Sequence, residues 1–241
     1  ALPIWVFRLM QEELVTDTAY FVTYTYDDEH VPRSENGYMT LHRKHHQLYM
    51  KRLRKKLAKE GYDVKLRFFM CGEYGGQTNR PHYHAILFNL PEKYEVNEHL
   101  LTDIWKHGRV QVDLVSAKSI AYVCGYVNKQ TYWHNLGEDD DRVKEFRNMS
   151  QKLGINYLSD AKVKSMQEKL QPYLTLSDGQ KMGIPRYYKE KVFTRDERDY
   201  LALISEDYME ENPIFASTKE KNDFLNMQKN QKIRKANTSR R

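Results

Sequence analysis

Two histidines and a glutamate in this sequence have the types and the spacing of a metal site. His82 and His84 flank a single residue within Pro81–Phe88, a run that predicts a β-strand. Because side chains alternate along a strand, both imidazoles project from one face, with their Cα atoms about 7 Å apart. Glu73 lies near the end of the preceding predicted strand, across a Gly-rich turn, where its carboxylate can join them. Such a set suits Mn, Mg, Zn or Fe. The alternative is a pair of surface histidines on an amphipathic strand.

Two tyrosines and a lysine form a second group with chemical potential. In a helix, Tyr122, Tyr126 and Lys129 stand at positions i, i+4 and i+7 and share one face. A phenol, with a reference pKa of about 10, is a weak nucleophile unless a nearby cation or base favours the phenolate. The alternative is a Tyr- and Val-rich helix packed on a sheet, with the lysine reaching the solvent. Combined with a divalent cation that polarises a phosphate, the group predicts in-line attack by tyrosine and a phosphotyrosine product.

Strand and helix patterns alternate around these two groups. The predicted strands are residues 21–26, 65–73, 81–88 and 109–115, and the predicted helices are residues 40–61, 97–106 and 118–132. Thr40 is the predicted N-cap of the first helix, and Gly61 is its predicted stop. The order β, α, β, β, α, β, α predicts an α+β fold around a mainly antiparallel sheet.

The charge balance suits a polyanionic partner. Among 241 residues, Lys and Arg total 39 against 33 Asp and Glu, for a formal net charge of +6. Mean hydropathy is −0.83 and the isoelectric point is near 9.0, and each neutralised phosphate would release counterions. One face of the first predicted helix carries Arg43, Lys44, Lys51, Arg52, Arg54, Lys55, Lys56 and Lys59. That face is either a solvated surface or a DNA-facing stripe.

Cysteine use and the first residues bear on the compartment. Two cysteines, Cys71 and Cys124, cannot build a disulfide framework or a cysteine zinc cluster, so we expect a reducing, cytoplasmic setting. Residues 2–10 are apolar, but the run is short and continues into Gln11, Glu12 and Glu13. We therefore expect neither a signal peptide nor a membrane span there.

The motifs, taken in order, resemble a known family. Residues 21–26, 80–84 and 122–129 resemble the rolling-circle replication initiators of the HUH endonuclease superfamily. Within it, the sequence is most similar to the initiators of microviruses, small circular single-stranded DNA phages, of the gokushovirus type. The further similar segments are residues 21–32, 145–150 with 154–155, and 185–188. Each short motif alone is weak, whereas all of them in order, across residues 5–188, are a specific signal.

The resemblance implies roles for the residues named above. It implies metal ligands at His82, His84 and Glu73, with Mn or Mg as the cofactor, and nucleophiles at Tyr126 and Tyr122. The Tyr-x-x-Lys register of the family falls on Tyr126 and Lys129, so Tyr126 is the first choice for attack. We also expect DNA contacts at Arg80, Lys51, Arg54 and Lys55.

The resemblance also implies a fold and a setting. The expected fold is α+β, a five-stranded and mainly antiparallel sheet flanked by helices, with an HUH nuclease core at 1–135. A C-terminal extension packed on the core is expected at 136–218, and a basic polar tail at 219–241. The expected partners are single-stranded DNA at a viral replication origin, a host helicase and host replication proteins, without a membrane, in the cytoplasm of a bacterial host. Such phage proteins often carry an N-terminal cysteine-rich segment that this sequence lacks, which leaves open a truncated chain or a lineage without it.

Three other functions compete with a nicking initiator. A transposase or conjugative relaxase would share the chemistry, but the paired tyrosines and the downstream segments favour the phage initiator. A module that binds an origin without cutting it need not keep Glu73, His82, His84 and the tyrosine helix. A zinc hydrolase that uses the two histidines would leave the tyrosine helix unexplained.

Overall fold

The computed structural model describes residues 2–125, 139–176, 179 and 181–211. The chain divides into two compact units, Ala1–Tyr157 and Leu158–Arg241. The first unit contains α1 (Leu2–Glu13), β1 (Ala19–Thr25), α2 (Arg43–Lys59), β2 (Arg67–Tyr74), β3 (Pro81–Phe88), α3 (Lys93–Val96), α4 (Glu98–Trp105), β4 (Val110–Leu114), α5 (Ala117–Gly125), β5 (Phe146–Met149) and a 3-10 turn (Ile155–Tyr157). The second contains α6 (Asp160–Lys169), β6 (Tyr173–Thr175), β7 (Lys181–Gly183), α7 (Arg186–Val192) and α8 (Arg195–Glu211).

A five-stranded sheet is the centre of the first unit. Its strand order is β4-β1-β3-β2-β5, and every neighbouring pair is antiparallel. The predicted α+β class, with a five-stranded antiparallel sheet and flanking helices, is therefore confirmed. β3 has the predicted bounds, because its β-branched and aromatic residues alternate between two buried faces.

The two faces of the sheet are covered by different helices. The α2 face is packed by α2 and α4, and its core includes Tyr24, Tyr49, Tyr83 and Trp105. The α5 face is packed by α1 and α5, and its core includes Leu9, Phe69, Ile86, Phe88, Val123 and Cys124. Because strand side chains alternate, neighbouring residues of β1 and β3 belong to opposite faces. The register of the sheet therefore decides which helices each strand residue meets.

The start of α2 differs from the prediction. The helix begins at Arg43 with His42 as N-cap, not at Thr40. The Thr40 hydroxyl accepts a hydrogen bond from the Val143 backbone N–H at 2.8 Å, so a partner remote in sequence takes the side chain that would have capped the helix. The predicted stop is correct, since Gly61 has a φ of +82°, a left-handed conformation that favours glycine.

The segment that follows β5 holds α1 in place. β5 pairs with β2 from Phe69 opposite Met149 to Gly72 opposite Phe146. In the loop that follows, the Leu153 carbonyl accepts two hydrogen bonds from the buried Arg8 guanidinium, at 2.8 and 3.2 Å. The sheet of the first unit thus includes a strand beyond the predicted core range of 1–135, because its pairing partner lies in β2. The predicted tail at 219–241 lies outside the described residues.

The second unit is a small assembly of helices around a two-stranded hairpin. β6 and β7 pair antiparallel, with Tyr173 opposite Gly183. Ser159 caps α6, because its hydroxyl accepts a hydrogen bond from the Lys162 backbone N–H. Within the described ranges of both units, no helix combines the length and the apolar character needed to cross a bilayer.

Candidate metal centre

The β2–β3 hairpin brings the three predicted metal ligands together. Glu73 lies directly opposite His82 in the register, and His84 lies two residues further along β3. The Glu73 Oε1 atom is 2.8 Å from His82 Nε2 and 2.9 Å from His84 Nε2. One ligand atom from each residue lies within 4.8 Å of the other two, on the α5 face of the sheet. The alternation predicted from the His-x-His spacing therefore places all three side chains around one point.

Backbone and hydroxyl groups orient the two imidazoles. His82 Nδ1 lies 3.1 Å from the Arg80 carbonyl oxygen. A carbonyl oxygen only accepts, so Nδ1 carries the proton and donates, and Nε2 is turned to the ligand cluster. His84 Nδ1 lies 3.0 Å from the Thr23 hydroxyl on β1. Outer hydrogen bonds of this kind fix the ring orientation and tautomer of metal-binding histidines.

The charges of the cluster are strongly coupled. Glu73 is 2% exposed and His84 is 7% exposed. Burial alone would raise the pKa of Glu73, but hydrogen bonds from both imidazoles outweigh it and hold that pKa below its usual value. Burial alone would lower the pKa of His82, but its hydrogen bond with Glu73 raises that pKa above the usual value. The cluster therefore stabilises an ionised carboxylate in a buried place, where an unpaired charge would be costly.

The donor set fits a divalent cation. Among the described residues, the second carboxylate oxygen of Glu73, Oε2, is buried and has no hydrogen-bond partner. Buried carboxylate oxygens without partners are rare in folded proteins unless an ion or water satisfies them. Two imidazole nitrogens and a carboxylate leave further coordination positions open for a substrate.

Tyr122 lies beside this cluster. α5 packs on the sheet through Ile120, Val123 and Cys124, which are all buried. The half-buried Tyr122 ring meets the His84 ring edge to face, with centroids 5.2 Å apart, and lies 6.1 Å from the Phe21 ring. Tyr126 and Lys129, the other members of the predicted nucleophile group, lie outside the described residues.

The four predicted DNA contacts lie elsewhere. Arg80 holds the end of the hairpin, because its guanidinium donates to Asp28 at 2.7 Å and to the Tyr26 carbonyl at 2.9 Å. The other three, Lys51, Arg54 and Lys55, are exposed positions on α2. That helix packs on the face of the sheet opposite the metal ligands. The structure therefore does not bring these three side chains to the cluster.

Arg147 is a cation near the cluster that the sequence did not single out. It lies directly opposite Cys71 on β2, and Cys71 lies opposite His84 on β3. Arg147, Cys71 and His84 therefore form one row on the α5 face. The Arg147 side chain is exposed, and its guanidinium carbon lies 5.7 Å from the centroid of the Trp5 ring. The strand pairing that brings Arg147 here has no signal in the local sequence.

Comparisons with known proteins agree with this architecture. Residues 19–131 match the family model of the replication-associated protein ORF2. The chain is 31% identical to replication-associated protein VP4 of Bdellovibrio phage phiMH2K over 199 residues, which cover 76% of this chain and 60% of that protein. It is 29% identical to replication-associated protein ORF4 of Chlamydia phage 1 over 187 residues, which cover 69% of this chain and 44% of that protein.

Residues 19–131, which include β1 to β4 and all three candidate ligands, belong to the ORF2 family of replication-associated proteins. The predicted resemblance to the replication proteins of gokushovirus-type microviruses is confirmed. The chain spans less than two thirds of the length of either relative. Among solved structures, the N-terminal nuclease domain of the minute virus of mice non-structural protein-1 is matched at 11% identity, over 83% of this chain and 98% of that one. Its TM-score is 0.28, which is too low to carry an argument.

Proposed function

We propose that this chain is a metal-dependent, site-specific endonuclease and strand transferase of the HUH type, acting on single-stranded DNA. It would nick a viral replication origin and hold the new 5′ end on a tyrosine, which starts rolling-circle replication. The observation that carries the proposal is the gathering of Glu73, His82 and His84 within 4.8 Å, with the Tyr122 ring beside them. Membership of a family of phage replication-associated proteins supports the same biological setting.

The protein's own groups prepare the site for a phosphate. A Mn or Mg ion held by Glu73, His82 and His84 would withdraw negative charge from the scissile phosphate. The Arg80 carbonyl and the Thr23 hydroxyl hold the two imidazoles at fixed orientations. The β2–β3 hairpin is rigid at this point because all eight residue pairs of its register are formed. A ligand set on regular strands is preorganised, which lowers the cost of reaching the reactive geometry.

The proposed reaction is a transesterification at phosphorus. The tyrosine oxygen forms a bond to phosphorus, the bond from phosphorus to the 3′ oxygen breaks, and that oxygen leaves and takes a proton. The 5′-phosphotyrosine keeps the phosphodiester energy, so a 3′ hydroxyl can later attack it and release the tyrosine. Tyr126 is the first choice for the attack, Lys129 favours its phenolate, and Tyr122 serves in the second transfer. The contact between the Tyr122 and His84 rings supports a place for Tyr122 at the reaction centre.

DNA contacts surround this chemistry in the proposal. Arg147 presents an exposed cation on the same face as the metal ligands, where it suits a backbone phosphate of the bound strand. Lys51, Arg54 and Lys55 on α2 would contact a more distant part of the DNA. Arg80 would act by holding His82, because its guanidinium is already engaged. In the cytoplasm of a bacterial host, a helicase and replication proteins of the host would then extend the new 3′ end.

A nicking assay tests the proposal. The chain would be incubated with end-labelled, single-stranded origin oligonucleotides from its own replicon, with Mn, Mg or a chelator, and resolved on a denaturing gel. We expect a metal-dependent cut and a protein-linked DNA band. The band should weaken in Tyr126→Phe and vanish in the Tyr122→Phe, Tyr126→Phe double variant, whereas Tyr200→Phe, an exposed position on α8, should behave like the wild type. Tight binding without a cut or an adduct, across metals and origin sequences, would favour the origin-binding module.

A further inference from the structure

Four of the nine histidines gather at one corner of the α2 face. The His45 ring lies between two others, with its centroid 4.0 Å from that of His42 and 4.2 Å from that of His107. The angles between these ring planes are 25° and 15°, so the three imidazoles form a nearly parallel column. His30 meets the edge of His107, with ring centroids 5.9 Å apart. We call His42, His45 and His107 the histidine column.

The core of the protein builds this column. His45 Nδ1 is 2.8 Å from the Tyr26 hydroxyl, which is in turn 2.8 Å from the Tyr83 hydroxyl. The Tyr83 hydroxyl also accepts a hydrogen bond from the His42 backbone N–H at 2.9 Å. The next residue after His107 is Gly108, where a Cβ atom would lie 2.4 Å from the Thr25 carbonyl oxygen. Only glycine fits such a close passage over the end of β1, so the position of His107 is fixed by the fold.

The column does not have the geometry of a second metal site. In the described part of the chain, the ligand atoms of at least three such side chains converge within 4.8 Å only at Glu73, His82 and His84. Burial, together with the nearby cations of the cluster, lowers the pKa of His45 to about 4. Burial also lowers the pKa of His107. At neutral pH the inner rings are therefore uncharged and offer flat π-surfaces instead of charges for a phosphate.

The column ends in an exposed ring near the metal centre. His42 is exposed and has its stacked neighbour, His45, on one side. No hydrogen bond to its ring nitrogens is found among the described residues, and its side chain does not cap α2. Arg80 connects the column to the metal centre, since its guanidinium donates to the Tyr26 carbonyl and its own carbonyl accepts from His82. The column and the metal centre therefore lie on opposite faces of the same end of the sheet.

We propose that the exposed ring of His42 is a stacking site for an unpaired nucleobase of the DNA strand that reaches the metal centre. Imidazoles are among the side chains on which unpaired bases stack, and such stacking tolerates any base because every base has a π-face. The column beneath His42 holds its ring in place, so little order is lost on binding. The proposal rests on the proposed function insofar as the ligand is single-stranded DNA. It adds a base-binding site on the face of the sheet that carries no metal ligand.

Fluorescence of 2-aminopurine tests the site without any cleavage. Single-stranded oligonucleotides with 2-aminopurine at successive positions would be titrated with the full chain in the presence of a chelator, since stacking quenches this base. We expect a quenched position with the wild-type chain. His42→Ala should remove the quenching and weaken binding about 5- to 10-fold, near the low end of base–aromatic stacking. His42→Trp should restore both, and His99→Ala, an exposed histidine of α4, should match the wild type.

Each outcome decides the proposal. Equal quenching and affinity for the wild type and His42→Ala, with both chains folded, would overturn it and leave the column a packing feature. Failure of His42→Trp to restore the quenching would also overturn it, because a flat ring at that position should suffice. A chain that shows His42-dependent quenching but forms no adduct with metal present would refute the nicking function alone.

Discussion

The two faces of the sheet bury polar groups of opposite kinds. The α2 face buries neutral ones, such as the phenol of Tyr24 and the imidazole of His46, whose pKa burial lowers to about 3. The α5 face buries an ionised carboxylate, Glu73, against two imidazoles, with one carboxylate oxygen unpartnered among the described residues. A neutral polar group costs little when buried beside aromatic rings, whereas a buried charge persists only if something compensates it. The comparison indicates that the α2 face stabilises the fold and that the α5 face holds the chemistry.

The largest expected effect is at Glu73. Glu73→Gln removes the charged ligand while keeping its shape, so metal-dependent nicking should fall about 100-fold or more, since a bound metal supplies several kcal/mol of transition-state stabilisation. Rates on the origin oligonucleotide with Mn would measure it, and Glu29→Gln, an exposed carboxylate, is the matched control. Unchanged nicking by Glu73→Gln would remove the α5 face from the mechanism.

The reverse result is expected at His46 on the α2 face. His46→Ala leaves a cavity among Tyr24, Tyr49 and Phe68 and should lower the free energy of unfolding by about 2–3 kcal/mol. His46→Leu should cost less, because it fills the space and removes two ring nitrogens without partners in the described structure. Denaturant unfolding measures both, and nicking per folded molecule should stay at the wild-type level. A loss of nicking without a loss of stability would break the division between the faces.

A smaller effect is expected at Thr23, which supports His84 from β1. Thr23→Val keeps the side-chain shape and removes the hydroxyl that lies 3.0 Å from His84 Nδ1. Loss of such an outer partner should weaken metal affinity about 10-fold, the low end of the usual range. Calorimetric titration with Mn would measure it, with Thr25→Val, the next β1 position on the same face, for comparison. Equal metal affinity in wild type and Thr23→Val would indicate that strand packing alone orients His84.

The smallest expected effect is at Arg147, and it compares the faces as DNA-binding surfaces. Arg147→Ala should weaken single-strand binding a few-fold and reduce the salt dependence by about one phosphate contact. Lys51→Ala and Lys55→Ala on α2 provide the matched test of the basic stripe predicted from the sequence. A larger loss from the α2 variants than from Arg147→Ala would mean that the strand follows the α2 face instead.

The sequence predicted what depends on neighbouring residues. The His-x-His alternation in β3 is local, and the short hairpin to β2 fixes the register that adds Glu73. Thr40 was a wrong N-cap because Val143, about a hundred residues away, uses its hydroxyl. The place of Arg147 beside the cluster likewise depends on β5 pairing with β2 across a long connection. The histidine column draws on three separate segments around His30, His42 and His107, and no spacing in the sequence predicts their meeting.

The central claim is that the metal centre serves a tyrosine that becomes covalently joined to DNA, and mass spectrometry of the adduct tests it most directly. The wild-type chain would be incubated with origin oligonucleotide and Mn, digested with nuclease and protease, and searched for a nucleotide-modified peptide. The account predicts a 5′-nucleotide on Tyr126, or on Tyr122 when Tyr126 is changed to Phe, and no modification in Glu73→Gln. A cut strand with no modified tyrosine, or an adduct on a residue outside this pair, would contradict it.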